Sequence, residues 1–512
     1  MPEHLRALAV ILLFASAVFV LAKAPACAIA TPPADFERRR NLWIALTLAV
    51  FLAHSFWVYI AMASLIMLLT LPREANKLAL FFFLLFAVPP IKAEVPGLGV
   101  FRYLFSIDHL RLLALVVLLP AFLQLRKRPD IEPFGRLLPD KLIAAYIVVN
   151  FGLYLSASTA TNALRYGALY PFLDAFLPYY VASRSLQNTK DFRDALMAFV
   201  FAALLLVPIA AFEATRHWLL YAALNDTLGV DYGYGQYLER DGGTLRAQGS
   251  TGHAIPLGYV MAVALGLMLY VRQLVPGAVM RSAAFLALLV GLIAPVSRGP
   301  WVGMAAIVLL YFATGPRAMS NLAKLGVAGA ILTAGMLATP AGEKIIDYLP
   351  FVGTVESENV EYRQRLLEIC IAVILDSPLF GAYDSFYSLD LEALRQGQGI
   401  VDIVNSYIGI GLASGLVGLG LFVGFFATIT LGILRAMARI PDKSDENHVL
   451  GRALVSTLIG ILIIIFTVSS ISVIPVIYWC FAGLGVAFSR MVARGNAAPL
   501  GVRPAPMLQG RS

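Results

Sequence analysis

Long apolar blocks separated by short polar connections run along the whole chain. The blocks are long enough to cross a bilayer, although several fall short of the roughly 20 residues that a straight spanning helix needs. The pattern predicts an all-α fold, a polytopic transmembrane helix bundle of about 14 spans, give or take one or two. The blocks lie at about 5–22, 41–54, 56–71, 78–91, 107–123, 141–157, 166–183, 195–214, 254–271, 282–296, 300–314, 325–338, 404–434, 453–470 and 473–489.

Two regions near the N-terminus have alternative interpretations. Arg6, an apolar run and Ala26-Cys27-Ala28 fit a cleaved signal peptide, but also a first membrane helix. We favour the helix because a polytopic protein needs no cleaved signal. Residues 41–71 form either one long helix or a hairpin around His54-Ser55. The hairpin is favoured because it puts Arg38-Arg39-Arg40 on the cytoplasmic side.

Composition supports the membrane assignment and gives the bundle an orientation. Hydrophobic residues make up 59% of the 512 residues and charged residues 14%, too little charge to cover a soluble protein. The net charge of +8 does not indicate nucleic-acid binding, because Lys and Arg lie in alternate gaps between apolar blocks. By the positive-inside rule these gaps and the C-terminus are cytoplasmic. They carry Arg126, Lys127, Arg128 and Arg136; Arg184, Lys190 and Arg193; Arg272 and Arg281; Arg317 and Lys324; Arg435, Arg439, Lys443 and Arg452; and Arg490 and Arg494.

The chain is predicted to form one integral membrane domain, residues 1–495, followed by a disordered cytoplasmic tail at 496–512. Residues 338–403 form a large loop on the side opposite the basic gaps, and we expect it to contain short helices.

No metal and no cofactor are predicted, because the cysteines lie far apart in apolar settings and show no ligand spacing. These cysteines are Cys27, Cys370 and Cys480.

Within the large loop, residues 358–380 carry a helical stripe of apolar positions. We expect a helix lying at the membrane surface and ended by Pro378 and Gly381, with a solvated helix packed on the bundle as the alternative. Arg363 and Arg365 lie near its start. The stripe consists of Tyr362, Leu366, Ile369, Val373 and Leu375.

Three arginines lie beside membrane mouths on the side that the orientation rule disfavours for positive charge. They are Arg246, Arg298 and Arg363. A single arginine there is explained by snorkelling to lipid headgroups, but three need a further cause. Guanidinium groups bind diphosphate bidentately, so a lipid diphosphate at this surface would supply such a cause.

Other polar residues lie where loops enter the membrane. Asp402 is either a general base for a sugar hydroxyl or the N-cap of the helix that follows it. Asn405 and Tyr407 follow it closely. His253 is a candidate proton carrier, or a polar residue whose hydrogen bonds are satisfied locally.

Two acidic residues lie in or at the edge of apolar spans. Asp174 and Glu213 are acids of the kind that serve transport, although Asp174 can equally pair with a nearby arginine such as Arg165, or hydrogen-bond locally.

The order of several short motifs resembles that of the O-antigen ligase and O-antigen polymerase superfamily. The resemblance covers about 240–435. The motifs are Arg246-x-x-Gly249 with Pro256, Ser297-Arg298-Gly299, Arg363 followed by Pro378-Leu379-Phe380-Gly381, and Asn405-x-Tyr407 leading into Gly415-Leu416-Val417-Gly418.

This resemblance implies a metal-independent membrane glycosyltransferase of the bacterial inner membrane. Such enzymes take a glycan from undecaprenyl diphosphate at the periplasmic face and join it to a second glycan or to lipid A core. It implies that Arg246 and Arg298 hold the diphosphate, and with Asp402 they form the expected catalytic set. The expected substrate-binding residues are Arg363, Arg365, His253, Asn405, Tyr407 and Ser297. The expected partners are the lipid-linked glycan, membrane lipid, and a chain-length regulator and a flippase of the same pathway, without nucleic acid.

Two departures from the family pattern favour a polymerase of exopolysaccharide, capsule or O-antigen type. The family has a His directly before the Asn, where this chain has Val404, and its later acidic residue falls at Ala413. A ligase acting on lipid A core or protein is the first alternative. A polysaccharide or lipid transporter is the second, but it predicts matched halves and polar residues at mid-membrane, and the sequence shows no internal repeat.

Overall fold

The computed structural model describes residues 1–97, 99, 102–230, 239–240, 243–337, 357–381 and 403–497. Over these residues the chain is a bundle of α-helices with two short strand pairs, so the all-α prediction is confirmed. Nine of the described helices are long and apolar enough to cross a membrane, and α11 and α12 are shorter apolar helices. The elements are α1 (Glu3–Ile29), α2 (Pro33–Leu52), α3 (Phe56–Thr70), α4 (Lys77–Leu84), β1 (Ala93–Pro96), β2 (Tyr103–Ile107), α5 (His109–Lys127), α6 (Leu138–Ala157), α7 (160–185), α8 (Thr189–Arg216), α9 (Leu224–Leu228), β3 (Glu239–Arg240), β4 (Thr244–Leu245), α10 (Ala254–Val271), α11 (Ala278–Ile293), α12 (Arg298–Ala313), α13 (Ala318–Leu337), α14 (Ser357–Asp376), α15 (Ser406–Ala438), α16 (Glu446–Ile465) and α17 (Ile474–Ala497).

The N-terminal helices are part of the bundle. Helix α1 packs against α2 and α8. Helices α2 and α3 are separated by a turn at 53–55, where His54 has a φ of 42°, so the predicted hairpin is confirmed. Most of the predicted tail lies outside the described residues.

One end of the bundle is held together by buried ion pairs. Arg39 lies between Glu74, at 2.7 Å, and Asp194, at 2.8 Å, and links α2 to α8. Arg184 and Asp140 form a second pair at 2.6 Å, both fully buried. Charges removed from water are tolerated only when they are paired and hydrogen-bonded. We call this the ion-paired end; Arg193–Glu446 and Arg490–Glu132 lie there too.

Replacing Arg39 with alanine is expected to destabilise the protein by about 3–5 kcal/mol, because buried Asp194 loses its ion-pair partner and buried Glu74 loses one of its two. The neighbouring Arg40 donates to Asn41 at an exposed position, so Arg40→Ala should leave stability close to that of the wild type. Thermal unfolding of both variants in detergent measures the difference. Equal unfolding temperatures for the two variants would show that this cluster contributes little.

The opposite end of the bundle carries the long connections and is called the loop end. Here α8 ends, α10, α12 and α15 begin, and the linker 466–473 joins α16 to α17. Strands β1 and β2 also form an antiparallel hairpin before α5. The apolar pattern did not predict this hairpin, because β1 has only four residues and β2 only five.

Helix α14, in the large loop, packs on α15 through one face. Leu366, Cys370 and Val373 form a buried cluster with Leu412. The predicted helix is therefore present and packs on the bundle, and its position at the membrane surface stays a prediction. One member of the predicted stripe is wrong: Leu375 is exposed, and Cys370 is buried in its place, since i, i+4 spacing continues from Leu366.

The chain after α14 docks into a break in α15. Gly415 adopts φ 61° and ψ −165°, which interrupts the helix. The freed N–H groups of Leu416 and Val417 donate to the carbonyls of Pro378 (2.8 Å) and Leu379 (3.1 Å). The start of a helix leaves such donors without intrahelical partners, so the docked segment satisfies them. This contact anchors the described part of the large loop to the membrane helix.

Candidate functional site at the loop end

Glu213, near the C-terminal end of α8, fixes the segment that carries Arg246 through hydrogen bonds of its side chain. The Glu213 side chain is buried, and its carboxylate accepts backbone N–H groups of Leu220 (3.1 Å), Gln248 (2.9 Å) and Gly249 (2.8 Å). Its role here is therefore to shape this segment, rather than the transport role considered from sequence. Sequence shows a buried acid at this position, but its partners lie up to 36 residues away.

Arg246 lies directly against the turn that precedes α12. Its Nε donates to the carbonyl of Pro295 at 3.3 Å, and the N–H of Ala247 donates to Ala294 at 3.3 Å. Burial lowers the pKa of Arg246 to about 10, so the guanidinium is still charged at neutral pH. No carboxylate in the described part of the chain forms an ion pair with Arg246. A partly buried positive charge in this setting favours an anionic ligand.

Arg298 begins α12 at the end of the same turn. Ser297 is the buried N-cap residue, and Val296 has a φ of 46°, which is uncommon for a β-branched residue. A Cβ at Gly299 would lie 2.5 Å from the Thr467 hydroxyl, so this first turn is pressed against the linker 466–473. The structure thus brings the segments of Arg246, Ser297 and Arg298 together, as predicted for the diphosphate site.

His253 caps the start of α10. Its Nδ1 accepts the N–H of Ile255 at 3.2 Å, which requires that nitrogen to be unprotonated. Burial, and then the charge of Arg246, lower the pKa of His253 to about 4. The ring is therefore neutral at physiological pH and is a weak base. The effect of Arg246 also shows that the two side chains lie in the same neighbourhood.

The start of α15 is fixed to the linker 466–473 by side-chain hydrogen bonds. The Ser406 hydroxyl donates to the carbonyl of Val468 at 2.9 Å and accepts from the Ser470 hydroxyl at 2.7 Å. On the other side, Ser472 donates to the carbonyl of Thr251 at 2.8 Å. The linker therefore connects the Arg246 segment with the start of α15. The sequence did not indicate the role of these serines, because isolated serines between apolar blocks carry no distinctive signal.

Asn405 and Tyr407, the polar residues predicted at the start of α15, form hydrogen bonds that stabilise this end of the helix. Asn405 is the N-cap, accepting the N–H groups of Tyr407 (2.9 Å) and Ile408 (3.3 Å). The interpretation of Asp402 as the N-cap is therefore wrong, and Asp402 as a catalytic base lies outside the described residues. The Tyr407 hydroxyl donates to the carbonyl of Leu462 at 3.0 Å.

Arg363 and Arg365 occupy a different position from the other predicted arginines. Both lie in the early turns of α14 and have exposed side chains. The structure places them on the large loop, while Arg246 and Arg298 lie in adjoining segments of the bundle. Their predicted contact with substrate stays a prediction.

A polar cavity of about 720 Å³ also opens at the loop end. Arg111 and Asp174 form an ion pair at 2.9 Å in its wall, so Asp174 does pair with an arginine, but Arg165 was the wrong example. Arg165 instead donates to the carbonyl of Leu104 at 2.7 Å and stacks on Tyr103 at 3.9 Å.

Comparison with known families finds a match over part of this region of the molecule. Residues 283–423 match the family model described as O-Antigen ligase. This match supports the resemblance of the chain to the O-antigen ligase and polymerase superfamily. The matched residues include Arg298, the described part of the large loop and the break in α15. No curated protein matches the chain.

This similarity, together with the apolar helices, supports a multi-pass membrane protein of glycosyltransferase-like type. It does not separate polymerase from ligase. Arg246, His253 and Glu213 lie before the matched segment, so their assignment to the site rests on the contacts described above.

Glu213→Ala is expected to disorder the Arg246 segment, because three buried N–H groups lose their acceptor at about 1–3 kcal/mol each. Glycan transfer should fall with it. Glu213→Gln keeps one acceptor oxygen and should retain more of both stability and transfer. Unfolding in detergent and transfer by membranes measure the two effects. An alanine variant with unchanged stability would show that Glu213 does not hold the segment.

Proposed function

We propose that this protein polymerises oligosaccharide repeat units linked to undecaprenyl diphosphate, at the periplasmic face of the bacterial inner membrane. The orientation follows from charge: the basic gaps cluster at the ion-paired end, which the positive-inside rule assigns to the cytoplasm. The loop end, with residues 338–403 and the Arg246–Arg298 segments, then faces the periplasm. The product would be an exopolysaccharide, a capsule or an O-antigen.

The observation that carries this proposal is the pairing of the Arg246 segment with the Arg298 turn. Arg246 is hydrogen-bonded to the turn, has no ion-pair partner among the described acids, and remains charged at neutral pH. A diphosphate offers two anionic groups within one ligand, which suits two guanidinium groups carried by adjoining segments. A neutral transported solute would not account for this charge.

The chemistry is an inverting glycosyl transfer. A hydroxyl of the acceptor glycan attacks the anomeric carbon of the donor, forming the new glycosidic bond as the bond from that carbon to the diphosphate oxygen breaks. The leaving diphosphate keeps the electron pair, and Arg246 and Arg298 stabilise its added charge. The hydroxyl proton passes to a base, for which Asp402 is the first candidate and His253 the second. No metal is needed in this scheme.

Transfer to lipid A core is the second candidate function. The description of the matching family as O-Antigen ligase favours it, whereas Val404 at the position of the family's His favours the polymerase. Purified protein incubated with lipid-linked repeat units should lengthen the glycan by whole units and release undecaprenyl diphosphate. Transfer that occurs only when lipid A core is added would support the ligase. Absence of transfer under both conditions would contradict the glycosyltransferase assignment.

The proposed polymerase would act together with a flippase, which delivers its lipid-linked substrate, and with a chain-length regulator. These partners follow from the proposed substrate.

A further inference from the structure

The cavity at the loop end has the lining of a sugar-binding site. Its wall contains the β1–β2 hairpin, the start of α5, part of α7 and the end of the linker 466–473. Tyrosine rings, serine hydroxyls and carboxylates alternate around it. Aromatic rings stack on the apolar faces of sugars, and carboxylates and hydroxyls bond the sugar hydroxyls. The polar lining residues include Tyr103, Tyr166, Tyr170, Ser106, Ser470 and Asp174.

The charges in this cavity favour a neutral glycan over a diphosphate. Its lining carries two basic residues, Lys92 and Arg111, and three acidic ones, Glu94, Asp108 and Asp174. Arg111 is already engaged, since it pairs with Asp174 at 2.9 Å and donates to the Ser106 hydroxyl at 2.7 Å. It also stacks on the Tyr170 ring at 3.6 Å. A further carboxyl, Asp108, lies nearby, and burial raises its pKa to about 6. Near neutral pH that carboxyl can donate or accept a hydrogen bond with a sugar hydroxyl.

The cavity is connected to the Arg246–Arg298 site through the linker 466–473. Ser470 and Ser472 line the cavity. The same two hydroxyls bond to Ser406, at the start of α15, and to the carbonyl of Thr251. A glycan in the cavity therefore has the proposed diphosphate site on the other side of a single stretch of chain. This is the relation required between an acceptor and a donor.

A lateral apolar groove of about 840 Å³ approaches the cavity from the bilayer side. Tyr103 lines both the groove and the cavity, and its hydroxyl bonds to that of Tyr166 at 2.9 Å between them. The groove is lined by α6 and α7 and contains Phe122, Phe134 and Phe176. A glycan attached to a hydrocarbon chain can thus reach the cavity while its chain stays in apolar surroundings.

We propose that this cavity binds the sugar residues of a lipid-linked acceptor glycan. The proposal rests on the proposed transferase function and names the acceptor side of that site. It assigns a binding role to the N-terminal half of the protein, which lies outside the matched family segment.

Photocrosslinking tests this assignment directly. The probe is the repeat-unit oligosaccharide released from its lipid carrier and bearing a diazirine, applied to the purified full-length protein. Cross-links are expected in peptides from 92–111, 166–174 or 470–476, and excess unlabelled oligosaccharide should compete them away. The same sugar still attached to its lipid should label the same peptides, and more strongly.

Substitutions at Ser470 supply matched variants. This residue is small and exposed in the cavity wall, so Ser470→Trp should fill the cavity and reduce labelling by about tenfold or more. Ser470→Ala loses the same hydroxyl and its bond to Ser406 without filling the space, so it should label clearly more strongly than Ser470→Trp, and the difference between the two isolates the effect of filling the cavity. Ile471→Trp adds the same indole at a neighbouring exposed residue that does not line the cavity, and should also label normally.

Failure of this proposal is distinguishable from failure of the proposed function. Arg298→Ala should retain labelling, because the oligosaccharide lacks a diphosphate, although it should lose transfer. Cross-links confined to other peptides, or equal labelling of Ser470→Trp and Ser470→Ala, would overturn the assignment of the cavity. If the wild-type protein is labelled at the expected peptides but transfers no glycan, the cavity remains a sugar-binding site and the proposed transferase function is rejected.

Discussion

Arg298→Ala and Arg246→Ala are each expected to reduce polymer formation by about 100-fold or more, while the protein stays inserted at its normal level. In the proposed mechanism each substitution removes a positive charge that would stabilise the leaving diphosphate, where charge develops as the glycosyl bond breaks. Arg246 has no ion-pair partner among the described acids, so its loss leaves no buried carboxylate unpaired. Polymer is measured on gels of cell-surface glycan, and protein by immunoblotting of membranes.

Two further substitutions test whether polymer formation depends on the arginines of this site rather than on any surface positive charge. Arg281 lies exposed at the ion-paired end, and Arg281→Ala should leave polymer unchanged. Arg298→Lys should keep part of the activity, because an ammonium group retains the charge but not the bidentate geometry. Normal chain length in both the Arg246 and Arg298 alanine variants would reject the diphosphate site.

Gly415→Ala is expected to separate the large loop from α15 and to abolish transfer. A Cβ at Gly415 would overlap the Leu379 carbonyl, and its φ of 61° with ψ of −165° is a glycine-only conformation that costs another residue about 1–3 kcal/mol before any overlap. Gly381→Ala meets the Leu412 carbonyl from the other side of the same contact. Both variants should therefore expose the loop to protease. Limited proteolysis of membranes, followed by mapping of the cleavage sites, measures this effect.

Gly420→Ala is the matched control for this contact. Gly420 lies on the same helix, and an added Cβ there meets nothing within 4 Å. Alanine also favours the helix, so this variant should keep both wild-type protease resistance and transfer. If Gly415→Ala and Gly420→Ala behave alike, the break in α15 does not anchor the loop.

Features that depend on local periodicity could be predicted from the sequence. The apolar blocks predicted the helical bundle, and charge placement predicted the turn between α2 and α3. The stripe through Leu366 and Val373 predicted α14, although it named Leu375 in place of Cys370. In each case residues within a few turns of one another contain the information.

Features that depend on long-range contacts could not be predicted in the same way. Glu213 bonds to backbone N–H groups that many different sequences could supply. The sequence does not indicate which arginine pairs with Asp174. Only the tertiary structure shows that Arg111 forms this pair, while Arg165 bonds to the backbone. The motif residues Gly381 and Gly415 were recognised separately, but sequence did not indicate that they contact each other.

Analysis of lipid-linked glycans in a strain lacking this protein tests the central claim most directly. A polymerase joins repeat units while they are still attached to undecaprenyl diphosphate. Its loss should therefore make single lipid-linked repeat units accumulate, and wild-type protein, but not Arg298→Ala, should restore polymer. Accumulation of full-length polymer on undecaprenyl diphosphate would contradict the polymerase assignment and identify a ligase instead.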